Sequence, residues 1–407
     1  MESTRGTRRG LAVGALGGAL ILTAALTGCS AAGAKAKDPA GAAPAAAKLA
    51  ESPKPTVSAA VVTVEPATGA KDVKPAGALK VSVTSGKLTT VKVTAPNGTE
   101  VPGAVAADGL SWAPTGNLQV STQYRVSALA VDAQGVTAGT ESTFTTLTPA
   151  KDAGASDNIT DDGTYGVGMI VSLRFERAVK NRDAVVKGVT VEASDGTVVR
   201  GHWMDDNRID FRPEKYWTPG TKVTVKYRLK SVETAPGVYG GVDKDEPFTI
   251  GRSQVSTVDV NTHRMAVVRD GQQVDSVPFT AGKPGFDTWN GSMVVEAMEG
   301  RTRMTSNGIT AAGSNDEYDL VVPHAIRLTD SGTYVHGNSW SSAIGVSNGS
   351  HGCIGLRDTE AGSESSAAGK FYQSTMVGDV VTVINSKGRT VSPENGLGGW
   401  NVPWGSW

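Results

Sequence analysis

The sequence predicts a mainly β chain: two small sandwiches in tandem, then a third β-rich unit with one or two short helices. Two observations carry this. Short β-branched runs with partial alternation recur from Thr56 onward, punctuated by Asn-Gly, Asp-Gly and Gln-Gly pairs, the pattern of strands joined by tight turns. A helix is predicted best over Thr359–Thr375, rich in Ala, Ser, Glu and Lys and free of proline. Over 407 residues, 39% hydrophobic and 19% charged content is enough for several ordinary cores. A net charge of −1 argues against a nucleic-acid partner and against a polybasic membrane patch.

Residues 1–28 read as a lipoprotein signal peptide. Arg5, Arg8 and Arg9 form a positive start and Leu11 to Leu26 an apolar run. Leu26-Thr27-Gly28-Cys29 then places small residues before a cysteine, as in a bacterial lipobox. A membrane-spanning anchor is the alternative, but the apolar run is short for a span and no stop follows it. Arg8-Arg9 leaves both Sec and twin-arginine export open. Acylated Cys29 would hold the protein to the outer face of the cell membrane and leave Cys353 as the lone thiol of the mature chain. The fold must then be stable without a disulfide.

Cys29 and the Ala/Pro-rich stretch after it, residues 29–55, contain almost no large apolar side chains. Such a segment cannot bury enough surface to offset chain entropy, so it reads as a flexible tether. Residues 56–150 form the first β unit. Val61 to Val64, Leu79 to Val83 and Tyr124 to Val131 are its clearest strands, with turns at Asn97-Gly98, Asp108-Gly109 and Gln134-Gly135. Strands this short and evenly spaced suggest an immunoglobulin-like sandwich. A weak internal repeat extends the assignment to residues 151–252. Trp112, Pro114 and Leu118 precede the strand holding Tyr124, as Phe211, Pro213 and Trp217 precede Val223 to Tyr227. Both units lack the cysteine pair of antibody domains. Trp112, Trp203, Phe211 and Trp217 are read as core, with sugar stacking the minor alternative.

The third unit covers residues 253–386. Thr257 to Val260, Met265 to Val268 and Val274 to Phe279 are strands, the last two joined at Asp270-Gly271, a hairpin pair. Leu320 to Val322, Thr333 to His336 and Val380 to Ile384 follow. Residues 387–407 are a tail carrying Trp400, Trp404 and Trp407. Each tryptophan buries roughly 200 Å² when docked, so the tail is expected to fold back on the third unit, at its junction with the second.

Cys353 is the residue on which the chemistry turns. A cysteine acyltransferase or hydrolase needs a thiolate, a base, a group to orient that base, and donors for an oxyanion. A free thiol is largely protonated at neutral pH. Of the five histidines, His336 follows a β run and His351 lies two positions before the thiol. The amides of Gly352 and Cys353 are candidate oxyanion donors. Read alone, a buried structural cysteine near histidines remains an equal alternative.

His336-Gly337, then residues 338–349, then Ser350-His351-Gly352-Cys353 is a far more specific pattern. With Tyr334-Val335 before it and Gly282-Lys283-Pro284-Gly285 upstream, residues 254–407 resemble the L,D-transpeptidase catalytic domain of bacterial cell-wall synthesis. The tail resembles the C-terminal extension of membrane-anchored members with two immunoglobulin-like domains. The resemblance implies that the third unit is the family's catalytic β-sandwich. It implies Cys353 as nucleophile, His336 as its proton partner and the carbonyl of Gly337 as the group orienting the imidazole. His351 is expected to shape the substrate pocket and Ser350 to hold the motif loop. Tyr318, Met304 and Trp340 fall where lid or pocket-wall residues are expected, with plain packing the alternative for each. The family usually carries Asn or Arg two positions after the cysteine, and here Gly355 stands there. A polar substrate contact is lost, or Arg357 or Asn338 replaces it.

The implied reaction is attack by Cys353 on the bond between the third-position diamino acid and D-Ala of a tetrapeptide stem. D-Ala leaves, a thioester forms, and a second stem's side-chain amine resolves it into a 3→3 peptidoglycan cross-link. No cofactor or metal is expected. The expected partners are donor and acceptor stem peptides and, through the lipid, the membrane; the protein is expected to be a monomer. The resemblance also implies acylation by carbapenems. An L,D-carboxypeptidase, with water as acceptor, and a non-enzymatic wall-binding lipoprotein are the competing readings.

Overall fold

The computed structural model describes residues 57–307 and 316–407. The expected signal peptide, Cys29 and tether lie outside the described residues.

The first unit is a pair of four-stranded sheets. One runs Val61–Glu65, Lys80–Thr84, Ser111–Pro114, Gly103–Val105, and the other Ala70–Val73, Thr137–Thr146, Gln123–Val131, Lys87–Thr94. The alternation read in the sequence points Tyr124, Val126, Ala128 and Ala130 inward, all at most 2% exposed. They meet Val81, Trp112, Leu118 and Phe144 in one core. Burying each large apolar side chain contributes about 1.5–3 kcal/mol. The second unit repeats the plan with sheets Ala155–Asp157, Val171–Phe175, Arg208–Pro213, Val199–Trp203 and Gly163–Tyr165, Asp243–Ile250, Lys222–Arg228, Val189–Ala193. Phe211 and Trp217 are buried in its core, as expected, while Trp203 packs at its margin against Phe175. A tyrosine hydroxyl accepts a backbone N–H five residues upstream in each unit: Tyr124 from Gln119 and Tyr165 from Thr160, both at 2.8 Å.

The third unit holds nine strands: β1 (Gln254–Asp259), β2 (Arg264–Arg269), β3 (Gln272–Thr280), β4 (Gly291–Val294), β5 (Ala297–Thr305), β6 (Asp319–Arg327), β7 (Tyr334–Asn338), β8 (Ile354–Arg357) and β9 (Val380–Ile384). They are hydrogen-bonded in the order β4-β9-β1-β2-β3-β8-β7-β6-β5. Strand β3 is long enough to serve two halves. Its first part pairs with β2, and Phe279 and Thr280 at its end pair with β8. Val258, Met265, Val267 and Val381 from one half meet Ile326, Val335, Ile354 and Leu356 from the other in a common core. The turn between β2 and β3 is the expected one, with Asp270 at φ +48° and Gly271 at φ +80°.

Two expectations need correction. The helix spans Ala367–Ser374, not Thr359–Thr375. The Asp358 carboxylate accepts the N–H groups of Thr359 and Ser363, both at 2.8 Å, and Ser366 caps the helix by accepting from Gly369. These side-chain bonds hold the first half of the segment as a loop. The tail lies at the junction expected for it, but its tryptophans sit mainly on the second unit and not on the third. Trp400 Nε1 donates to Gly168 O at 2.8 Å and Trp407 Nε1 to Arg200 O at 2.9 Å. The Arg212 guanidinium lies 4.7, 5.4 and 4.2 Å from the rings of Trp400, Trp404 and Trp407, a cation–π cluster. Asn401 bridges to the third unit through the backbone of Ser292.

The second and third units are joined closely. Gly166 and Gly168 donate to Val377 O and Gly378 O at 2.8 Å, and Arg252 forks onto the Asp379 carboxylate at 2.8 Å. The buried Arg208–Asp210 pair also holds the tail, Arg208 donating to the carbonyls of Glu394 and Gly396. Glu296 also lies at this junction, 3.7 Å from Arg327 and accepting the N–H of Leu397. Burial first, then Asp330, pushes its carboxyl up to about 7. A carboxyl raised above its ordinary 4.5 contributes stability that is full below that value and lost as pH rises through 7. Glu296→Gln is expected to melt about 2–4 °C above the parent at pH 8 and level with it at pH 4, which thermal melts at the two pH values check.

Candidate active site

Strands β7 and β8 run parallel, with Val335 opposite Ile354 and His336 opposite Gly355. Cys353 immediately precedes β8. This register opens thiol and imidazole into one cavity of about 330 Å³. The cavity is lined by His336, Cys353, Tyr318, Ser350, His351, Met304, Trp340 and Asn338, together with Leu320, Val322, Ser341, Ser342 and Gly349. Every side chain singled out for the site, apart from Cys29 and Arg357, therefore meets in one place. Arg357 does not: its guanidinium donates to Ser341 O at 3.0 Å and lies outside the lining.

His336 is 5% exposed, and its Nδ1 lies 2.8 Å from Gly337 O. A carbonyl only accepts, so Nδ1 carries the proton and Nε2 is left as a base. Burial holds the imidazole below its usual range, opposed by that hydrogen bond. Gly337 has no room for a side chain. A Cβ there would overlap the Asp358 carboxylate and lie 2.8 Å from Pro323 Cγ. Behind it, Asp358 Oδ2 is bonded to His324 Nδ1 at 2.7 Å. The backbone carbonyl that orients His336 is thus backed by packed side chains.

The thiol is partly exposed in the cavity, its Sγ donating to Gly332 O at 3.5 Å. Burial pushes it up to about 11, against the pull of the Tyr334 N–H aimed at the sulfur. At neutral pH the resting pair is accordingly thiol and neutral imidazole. The loop before Cys353 is stitched down at several points. Ser350 Oγ donates to Cys353 O at 2.6 Å and accepts the N–H of Gly352 at 3.1 Å. Gly352 adopts φ +120°, which favours glycine. Thr288 Oγ1 donates to Gly352 O and accepts from Gly282 N, both at 2.9 Å, and Lys283 N donates to Ser350 O at 2.8 Å. The expected oxyanion donor at Gly352 is therefore already engaged by Ser350, because the serine side chain turns back on its own loop.

His351 faces its supports. Its ring lies 4.6 Å from Phe286 and 5.0 Å from Tyr318, with Nε2 3.6 Å from Asp316. Burial, then the Lys283 charge, lowers it; Lys283 in turn pairs with Asp316. The Tyr318 phenol is raised first by burial and then by the nearby Cys353 sulfur. Trp340 is 55% exposed at the rim and stacks on His336 at 6.1 Å. Sequence reasoning missed Gly332, Tyr334 as an amide donor, Thr288 and the His324–Asp358 pair. Of these only the stretch just before His336 carried any local signal.

The arrangement is a thiol, a base with its tautomer held, and a half-enclosed cavity for a substrate carbonyl, as nucleophilic acyl transfer requires. With the thiol raised, alkylation of Cys353 by iodoacetamide is expected to be slow at pH 7 and to keep rising above pH 9. Rates from intact-mass time courses check this, and a plateau below pH 8 would mean a thiolate already formed at rest.

Residues 70–233 match the family model of a bacterial Ig domain, and residues 253–383 that of the L,D-transpeptidase catalytic domain. L,D-transpeptidase 2 of Mycobacterium tuberculosis (strain CDC 1551 / Oshkosh) is 31% identical over 332 residues, covering 81% of this chain and 79% of the relative. L,D-transpeptidase 5 of strain ATCC 25618 / H37Rv is 30% identical over 368 residues, covering 88% and 78%. A solved L,D-transpeptidase in complex with imipenem is 28% identical, covers 57% of this chain and 99% of that one, and has a TM-score of 0.49. With its catalytic module matched and its likeness to these relatives running through the sandwiches as well, the chain belongs to the L,D-transpeptidase family.

Proposed function

We propose that the protein forms 3→3 cross-links in peptidoglycan through a thioester on Cys353. The observation that carries this is the meeting of Cys353 and the tautomer-locked His336 in one cavity of a chain in this family. Cys353 Sγ attacks the carbonyl joining the third-position diamino acid to D-Ala of a tetrapeptide stem, and the thiol proton passes to His336 Nε2. The tetrahedral oxyanion collapses, the C–N bond breaks, and His336 returns the proton to the departing amine of D-Ala. The side-chain amine of a second stem then attacks the thioester, gives a proton to His336, and releases the thiol as the new amide forms.

Each half-reaction needs donors at the oxyanion. The Cys353 N–H serves there, Gly352 being held by Ser350. The Tyr334 N–H, facing the sulfur, favours the thiolate as it develops. Because thiol and imidazole rest neutral, charge separates only as the bond to carbon forms. Tyr318, Met304 and Trp340 wall the stem, and His351 supports that wall through Tyr318 and Phe286. Acylation of the same sulfur by carbapenems belongs to this reading. So does the lipid on Cys29, which would set the sandwiches as a pedestal carrying the site from the membrane into the wall.

The test is product analysis with a disaccharide-tetrapeptide. A dimer joined between third residues, with one D-Ala released per link, is expected. Tripeptide alone, with no dimer, would make the enzyme a carboxypeptidase. His336→Ala is expected to lower the rate of acylation by about 10²–10⁴ and His351→Ala by less than about tenfold. Unchanged rates in both variants would remove the assigned roles.

A further inference from the structure

We infer that Asn338 is a substrate-binding residue: its side-chain amide presents an N–H donor to an acceptor oxygen of the acyl-donor stem, a job displaced onto it by the glycine at 355. The inference rests on the transpeptidase reading above and concerns how the same cavity holds its donor peptide.

Three observations carry it. First, Asn338 is only 3% exposed, yet it lines the cavity. Its Oδ1 accepts the N–H of Ser341 at 2.9 Å. Because that partner is a donor, the oxygen end of the amide is settled and Nδ2 is turned the other way. Second, Nδ2 donates to no described residue and, unlike the rest of this side chain, is not sealed from solvent, so it is open to donate to a molecule held in the cavity. Third, Asn338 fills the space that a side chain at position 355 would take. A Cβ on Gly355 would lie 3.0 Å from Asn338 Nδ2, 3.3 Å from Asn338 Cβ and 3.1 Å from Thr280 Cγ2. The two positions compete for one volume, and here the amide enters it from β7 instead of β8.

The strand geometry says what the amide meets. His336 and Asn338 are two apart on β7 and project to the same face. That spacing is about 6.6 Å along the strand, the length of two residues of an extended peptide. An amide N–H donates, so the recognised group is a carbonyl or carboxylate oxygen of the stem lying along that face. Arg357, bonded to Ser341 O outside the cavity, does not compete for it.

Asn338→Asp tests this directly. A carboxylate keeps the acceptor that Ser341 uses, removes the donor and adds a negative charge. The acylation rate with a disaccharide-tetrapeptide is expected to fall about tenfold or more, well beyond the change in iodoacetamide alkylation of Cys353, which reads the effect of the added charge on the thiol. A second variant guards against a charge or folding effect. Asn338→Gly combined with Gly355→Asn moves the amide to the other strand and is expected to regain most of the acylation that Asn338→Gly alone loses. Acylation of Asn338→Asp at the parent rate would overturn the inference, as would failure of the double variant to exceed Asn338→Gly. A parent enzyme that is alkylated but never acylated would instead sink the transpeptidase reading itself.

Discussion

Adjacent strands that run parallel cannot be joined by a tight turn, and β7 and β8 are such a pair. The chain must leave β7 after Asn338 and arch back to enter β8 at Ile354. That arch supplies Trp340, Ser341, Ser342, Gly349, Ser350 and His351 to the cavity and delivers Cys353 to the mouth of β8. The ladder fixes His336 opposite Gly355. A slip of one residue would turn every side chain of β7 to the other face and part the imidazole from the thiol. Everything else at the site serves this register: the Ser350 and Thr288 bonds that hold the arch down, and the Asp358–His324 pair packed behind Gly337.

The electrostatics follow from the same burial. Desolvation at the thiol and at the imidazole favours the neutral form of each. In the proposed reaction such a pair would react once a substrate carbonyl is in place to accept the electron pair, so activation would rest on positioning and oxyanion donors more than on a preformed thiolate. The two sandwiches are not loosely strung behind the site. Gly166, Gly168, Arg252 and the tail join the second of them to the third unit.

Local pattern made most of this legible. Alternating β-branched runs gave the strands, Asp270-Gly271 gave its hairpin, and the His-Gly and Ser-His-Gly-Cys segments named the residues that converge on the cavity. What remained hidden depends on partners far away in sequence. The Trp-rich tail was readable as buried, but Arg212 as its seat was not, since nothing near Trp400 points to a residue in the second sandwich. The early half of Thr359–Thr375 has helical composition, and only the fold reveals that Asp358 claims its N–H groups. The departure at Gly355 was visible and Arg357 and Asn338 were both candidates to answer it, whereas choosing Asn338 needed the fold, because it reaches that space across a strand pair.

The central claim is covalent chemistry at one sulfur, so the most direct measurement is peptide mapping of the enzyme quenched during turnover with a tetrapeptide stem. The account predicts a tripeptide acyl group on the peptide containing Cys353, labile to hydroxylamine as a thioester and missing from Cys353→Ala. A folded enzyme that consumes the stem while this peptide stays unmodified would contradict it.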